Sequence, residues 1–475
     1  MLCILAGMRN GDLLLSAEVL LFIGSCARTN VDFRFGSANT CMMNHQKFYK
    51  IFTGLLLLIL SNFSFVYSQA SLERYVKDSV VLVRSIDPDD TLFSDLEPLG
   101  KAIGESRIVM LGEQDHGDSR TFLAKCRMIK YLHEKLNFNV LAFESDFYAL
   151  NKAWDSTRTL SQVESAITNN ILRVWTLCQQ FQPMIQYLTT QYKGNKPLHL
   201  TGFDNQLVGE YSVANLASDI NQFVMEKAIP FSKEEKNLNR LKTTLSSIHT
   251  LLRSGKYTKS DSTMQLFSEL SALADTIIQQ LSVDPKNLNS LHMQTLASLK
   301  AFGQEMQYGL SKEHLLSDSI RDKQMASNLR WLIENKYPEQ KMIVWAANAH
   351  IIKSNSTVLK KSFAKPSSMG YLFTRDRVLL DKTYVIGFTG LQGETGWITT
   401  SKKYNIPKPD KNGIESWLAD KEIGYGFVDF KGFRKTYPTD NESFNMRYTH
   451  WISVKLPWYH IFDGVFYIKD MTACQ

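Results

Sequence analysis

Within the stretch Gly112-Glu113-Gln114-Asp115-His116-Gly117, a carboxylate and an imidazole stand three positions apart, and these are side chains that move protons. Glu113 can hydrogen-bond one ring nitrogen of His116, or hold its charged form, which leaves the other nitrogen free to take a proton from water. The apolar run Arg107-Ile108-Val109-Met110-Leu111 comes just before, and a helix-like segment begins near Ser119. The stretch therefore reads as a loop at the C-terminal end of a strand, where α/β sheets bind their ligands. The plainer reading is a helix N-cap at Asp118 or Ser119 with a chance Glu and His upstream.

Other strand-like runs carry reactive groups at the same end. Residues 139–143 lead into Glu144-Ser145-Asp146, residues 198–203 end beside Asp204, and residues 342–346 lead into Asn348 and His350. In a parallel sheet those ends share one edge, so the four runs predict a shared site. In the helix after the first loop, Cys126, Ile129, Leu132 and Leu136 make one apolar face on a wheel of 100° per residue. Lys125 falls inside that face and Arg127 points away. An inward cation beside Glu113 and Glu144 would keep both ionised and could stabilise a developing oxyanion. Arg127 is expected at the solvated surface.

The elements that must position these groups are read from periodicity. Apolar runs at 107–111, 139–143, 198–203, 342–346, 383–388 and 464–468 alternate with stretches of helical spacing. That order predicts an α/β fold, a mostly parallel sheet flanked by helices. The interval of about 206–340 has no convincing strand. Leu238, Leu241, Leu245, Ile248 and Leu252 recur there at spacings of three and four, as do leucines from Leu266 to Leu281. It reads as a helical insertion subdomain, broken at Gly255-Lys256-Tyr257 and Asp284-Pro285.

A chain of 475 residues, 44% hydrophobic and with 12 prolines, is a compact protein rather than a disordered one. Its net charge of +7 becomes +5 without residues 1–70, which hold five Lys/Arg and three Asp/Glu. No basic stripe is interleaved with aromatics, so a nucleic acid partner is not expected. Residues 42–70 read as a signal peptide: a basic region at 44–50, an apolar stretch at 51–66 and a cleavage site near Ser68 or Ala70. The apolar stretch is shorter than the ~20 residues of a spanning helix. The domain at 71–475 is thus expected to be exported, periplasmic or extracellular, without stable membrane insertion; an uncleaved anchor is the alternative. Residues 1–41 precede Met42-Met43 and read as a doubtful N-terminal extension, with Leu20 to Cys26 a poor lipidation site.

Of six cysteines, only Cys126, Cys178 and Cys474 lie past the presequence, allowing one bridge at most. No Cys-x-x-Cys or His-x-x-x-His spacing suggests structural zinc. There is no Gly-x-Ser-x-Gly elbow, and Cys126 on an apolar helix face reads as an inert buried thiol.

Taken in chain order, several fragments resemble the erythromycin esterase family. They are Gly112-Glu113-x-x-His116-Gly117, a basic residue inside the next helix, Phe143-Glu144, Gly202-Phe203-Asp204-x-Gln206, Arg321-Asp322-x-x-Met325-Ala326, Trp345-x-x-Asn348-x-His350 and Met369-Gly370, spread over roughly residues 103–469. The resemblance implies an α/β core with a helical insertion and metal-independent hydrolysis of a small-molecule ester or lactone, macrolide antibiotics included. It implies no cofactor, and a general base at the position of His116. Together, the strand ends and the resemblance nominate His116, Glu113, Glu144, His350 and Lys125 as catalytic, and Asp146, Asp204, Arg321, Trp345 and Asn348 as substrate-binding, with no metal ligand.

Two positions depart from the family pattern. Lys125 stands where an arginine is usual, which keeps the charge but loses the bidentate fork. Ala347 stands where a histidine is frequent. Two other readings fit the residues. One is a metal-dependent hydrolase with Glu113, His116, Glu144 and His350 as zinc or manganese ligands. The other is an inactive secreted binding protein on the esterase scaffold, motivated by Ala347, with Trp397, Trp417, Trp451 and Trp458 meeting an apolar or saccharide ligand.

Overall fold

The computed structural model describes residues 72–475 except 256, 354–367, 401 and 441. The expected signal peptide and extension lie outside the described residues. The strands are β1 (Val81–Val83), β2 (Ile108–Leu111), β3 (Phe138–Asp146), β4 (His199–Asp204), β5 (Lys341–Trp345), β6 (Thr383–Thr395), β7 (Tyr404–Asn405), β8 (Tyr425–Asp429), β9 (Phe444–Arg447), β10 (Ser453–Leu456) and β11 (Gly464–Met471). One sheet has the order β1-β8-β11-β6-β2-β5-β3-β4, with β7 added to β6, while β9 and β10 pair separately. From β11 to β4 the neighbours are parallel, and β8 and β1 add an antiparallel edge.

Burial explains the sheet's sequence signature. All four residues of β2 are fully buried, as a central parallel strand covered on both faces requires. Val109 and Leu111 face a core shared with Phe122, Cys126, Ile129 and Leu132 of α1 (Ser119–Leu136). On the opposite face Ile108 and Met110 pack with Met325 and Leu329.

The interval between β4 and β5 contains α2 (Glu210–Glu226), α3 (Glu235–Ser254), α4 (Asp261–Leu281), α5 (Leu291–Leu310) and α6 (His314–Trp331), and no strand. The first four helices bury their own core, including Leu216, Leu245, Leu270 and Leu299. Gly303 on α5 lies so close to Phe267 and Ser271 of α4 that any side chain there would collide. α6 carries Met325 and Leu329 onto the sheet, and so delivers Arg321 and Asp322 to its edge.

Three sequence readings need correction. Arg127 is not at the surface: it is 1% exposed and donates to both carboxylate oxygens of Asp95, at 2.8 and 2.9 Å, and to the carbonyls of Ser85, Asp90 and Leu92. The helical wheel placed it on the outer face, but the segment around residues 85–95 covers that face. β3 extends past residue 143 to include Glu144, Ser145 and Asp146, and β6 extends past 388 to Thr395. The short strands β1 and β7 to β10 carry too few apolar residues to stand out.

Candidate active site

Gly112 turns the chain out of β2 against Asn348, whose side-chain oxygen occupies the space a Cβ would need. The loop is also tied across the strand ends, since Asn348 N–H donates to the Glu113 carbonyl at 2.8 Å. Within it, Glu113 is fully buried and saturated with donors. Its Oε1 lies 2.7 Å from His116 Nδ1 and accepts from Trp175 Nε1 at 2.9 Å, while its Oε2 accepts from Lys125 Nζ at 2.7 Å. Lys125, at 0% exposure, rests 4.0 Å from the Trp345 ring centroid. Burial pulls this lysine down to about 8 against the attraction of Glu113.

With Nδ1 engaged by a carboxylate, the neutral imidazole carries its proton there and presents Nε2 as the acceptor. The His116 side chain is 20% exposed on the cleft wall, edge-on to Trp175 at 5.4 Å and near Trp397 at 5.5 Å between centroids. Burial works to lower its pKa, but the hydrogen bond and charge of Glu113, reinforced by Glu144 and Asp115, hold it above the ordinary histidine value.

A second histidine is built the same way from distant residues. His350, in the short helix Asn348–Ile351, has Nδ1 2.5 Å from Asp322 Oδ1, and its Nε2 lies 3.3 Å from Glu144 Oε1 and 3.4 Å from Arg321 Nη1. Arg321 forks onto Asp204 at 3.1 and 2.7 Å and reaches Glu144 Oε1 at 2.8 Å. Glu144 Oε2 accepts the Ala347 N–H at 3.0 Å. Burial would raise the Glu144 pKa, yet His350, Arg321 and His116 outweigh it and hold the carboxyl at about 2.

His116, Glu144, Arg321 and His350 line one cleft of about 860 Å³. One wall is apolar, from Ile171, Leu172, Val174, Leu177 and Val208; Trp397 and His450 close another side. Trp397 Nε1–H and, at 2.7 Å, Tyr404 Oη–H donate to Asp115, whose carboxylate also meets His450 Nδ1 at 3.2 Å. These donors outweigh burial and lower the Asp115 pKa. Gln114 also lines the cleft, and both polar atoms of its amide are buried without a partner.

The remaining nominated residues lie behind this wall. Asp204 does not line the cleft and acts by holding Arg321. Asp146 caps the helix Phe147–Asp155 through Ala149 N–H and accepts from Gly209 N–H and Ser212 Oγ, with burial raising its pKa to about 6. Trp345 is a core residue stacked on Phe143, and Asn348 is spent on the backbone of Phe388 and Tyr448. None of these three reaches the cleft, because each points back into the sheet or its caps. Sequence reasoning missed Asp322, Trp175, Trp397 and His450; only Asp322 left a signal, next to Arg321. Of the four tryptophans considered as a ligand surface, Trp417, Trp451 and Trp458 are buried.

The Glu113 carboxylate already takes three N–H donors, an ammonium among them, so a metal ion there would have to displace Lys125. Among the described residues no group of three His, Cys, Asp or Glu is disposed to hold a metal.

Comparison with known proteins agrees with this geometry. The protein named "Putative hydrolase YbfO" of Bacillus subtilis (strain 168) is 29% identical over 392 residues, 79% of this chain and 86% of its own. Erythromycin esterase type II of Escherichia coli is 24% identical over 427 residues, 85% of this chain and 98% of its own. Among solved structures, a succinoglycan biosynthesis protein superposes with a TM-score of 0.63 at 18% identity, over 86% of this chain and 98% of that one. An erythromycin esterase variant in its open conformation superposes with a TM-score of 0.55 at 16% identity, over 83% and 98%. The sequence profile of the family described as Erythromycin esterase matches residues 133–472, which include Glu144, Asp204, Arg321 and His350. With that match covering most of the chain, and both relatives carrying hydrolase names, the protein belongs to the erythromycin esterase family.

Proposed function

We propose that this protein hydrolyses carboxylic esters or lactones with water activated by His116, without a metal. The observation that carries the reading is the Glu113–His116 contact of 2.7 Å beside the buried Lys125, with the ring on the wall of a cleft. Nε2 takes a proton from water as the water oxygen bonds to the acyl carbon. Arg321 and the His350 side chain supply positive charge or N–H groups toward the developing oxyanion. The C–O bond then breaks and the leaving alkoxide receives a proton from His350 or from the His116 imidazolium. Asp322 orients His350 as Glu113 orients His116.

The cleft lies in the upper part of the ~300–1,000 Å³ range of small-molecule sites, with room for a bulky lactone against its apolar wall. The family's name and the name of the E. coli relative make macrolide lactones the first class to try. Export to the periplasm or the medium, with cleavage near Ser68 or Ala70, is part of the same proposal; a Cys178–Cys474 disulfide suits an oxidising compartment. N-terminal sequencing of the native protein tests it: a start at Met1 would overturn export by cleavage.

The activity test is incubation of the purified protein with macrolide lactones, smaller lactones and aryl esters, read by mass spectrometry for the gain of one water, with and without chelator. Hydrolysis unaffected by chelator is expected. Binding without turnover across the panel, or activity lost to chelator and restored by a divalent metal, would overturn the proposal.

A further inference from the structure

Trp175 stands out among the groups on Glu113 because nothing in its own neighbourhood explains how it is held there. It belongs to a single helical turn, Arg173–Thr176, on the cleft's apolar wall. Yet its indole is fully buried, donates to Glu113 Oε1 at 2.9 Å and meets the His116 ring edge-on with an interplanar angle of 89°. A helix of four residues has little stability of its own, so its placement depends on what anchors it.

The anchor is covalent. Cys178 N–H donates to the Trp175 carbonyl at 2.9 Å, and Cys178 is disulfide-bonded to Cys474. The segment 472–475 then runs between the two parts of the site. Gln179 N–H donates to the Gln475 carbonyl at 2.8 Å on one side. On the other, Cys474 N–H donates to the Gly117 carbonyl at 3.0 Å and Ser119 N–H to the Thr472 carbonyl at 3.0 Å. The bridge thus fastens the Trp175 turn to a strip that is itself hydrogen-bonded to the His116 loop.

We propose that Trp175, fixed by the Cys178–Cys474 bridge, is a positioning residue that sets how Glu113 is shared between His116 and its other donors. This rests on His116 being the base, as proposed above. The indole N–H draws part of the charge of Oε1 away from the imidazole. Without it, Glu113 holds the imidazolium more strongly and the base becomes harder to deprotonate. The other charged groups facing His116 are Glu144 and Asp115, with Lys125 on the far oxygen of Glu113 and buried Asp118 behind Asp115. None of them contacts Trp175 through a hydrogen bond or ion pair, so removing the indole N–H leaves them in place.

The test follows the His116 imidazole resonances of the full-length oxidised protein by NMR titration, which needs no turnover. The variants are Trp175→Phe, the pair Cys178→Ala/Cys474→Ala, and all three together. The expected result is an upward shift of the His116 midpoint by ~0.5 unit or more in Trp175→Phe, a shift in the same direction in the cysteine pair, and no further shift when they are combined. An unchanged midpoint in Trp175→Phe overturns the proposal. So does an equal Trp175→Phe shift with and without the bridge, because Trp175 would then be placed independently of it. Should the cysteine pair fail to fold, Trp175→Phe alone decides. Loss of activity in His116→Ala alongside an unmoved midpoint would sink this inference and spare the proposed function; full activity in His116→Ala would do the reverse.

Discussion

Lys125 and Glu113 form an ion pair at 2.7 Å with both side chains fully removed from solvent, and the ammonium rests over the Trp345 ring. A buried pair of this kind contributes little net stability, because desolvation cancels much of the attraction. Its consequence is positional: the lysine keeps a negative charge at the one place where it orients His116.

Removing the charge should therefore be costly twice over. Lys125→Met leaves Glu113 buried and uncompensated, and is expected to lose ~3–5 kcal/mol in urea unfolding as well as most of the turnover. Lys125→Arg keeps the charge but adds bulk between Glu113 and Trp345. It should lose ~1–3 kcal/mol from overpacking and retain measurable activity. A stable and fully active Lys125→Met would refute the role given to this pair.

The pH dependence follows from the raised pKa of His116. As a base it must be neutral, so kcat/KM should fall as pH drops through a midpoint above the ~6.5 of free histidine. Stability runs the other way. The contribution from the charged ring is fully present below ~6.5 and is lost as pH rises through the raised folded value. Rate profiles and urea midpoints between pH 5 and pH 9 should thus change in opposite directions across that window, and His116→Ala should abolish that component of the stability change.

Asp322 sits 2.5 Å from His350 Nδ1, the counterpart of Glu113 and His116 on the other side of Glu144. Asp322→Asn should let the ring adopt the wrong tautomer and lower kcat by ~10²–10⁴-fold, with KM nearly unchanged. A change confined to KM would place His350 in binding rather than in proton transfer.

Arg127 offers a control away from the cleft. Its guanidinium is buried on Asp95 and three carbonyls. Arg127→Ala should cost ~3–5 kcal/mol of stability by unpairing Asp95, with kcat/KM at 25 °C unchanged in the folded fraction.

How much of this could be read from the chain depends on the range of each interaction. The sheet was legible because parallel strands buried on both faces are continuous apolar runs, and the contact of Glu113 with His116 because the two are three residues apart. The inward direction of Lys125 was legible from its helix face. What escaped was set by distant packing. Arg127 was misread because a separate segment covers it. Trp345 and Asn348 look like ligand-binding residues in sequence, yet one packs the core and the other ties backbone. Asp322 to His350 spans 28 residues, Trp175 to Glu113 spans 62 and Asp115 to His450 spans 335, and no local pattern encodes such pairs. Trp397 lay hidden because β6 continues well beyond the run that marked it.

The most direct test of the account is kcat/KM for a lactone or ester substrate in the wild-type protein and in His116→Ala, with circular dichroism confirming that both are folded. General-base catalysis contributes ~10²–10⁴-fold, so the variant should fall by at least ~10²-fold at pH 8, where the wild-type imidazole is largely neutral. A folded His116→Ala protein that keeps the wild-type rate would contradict it.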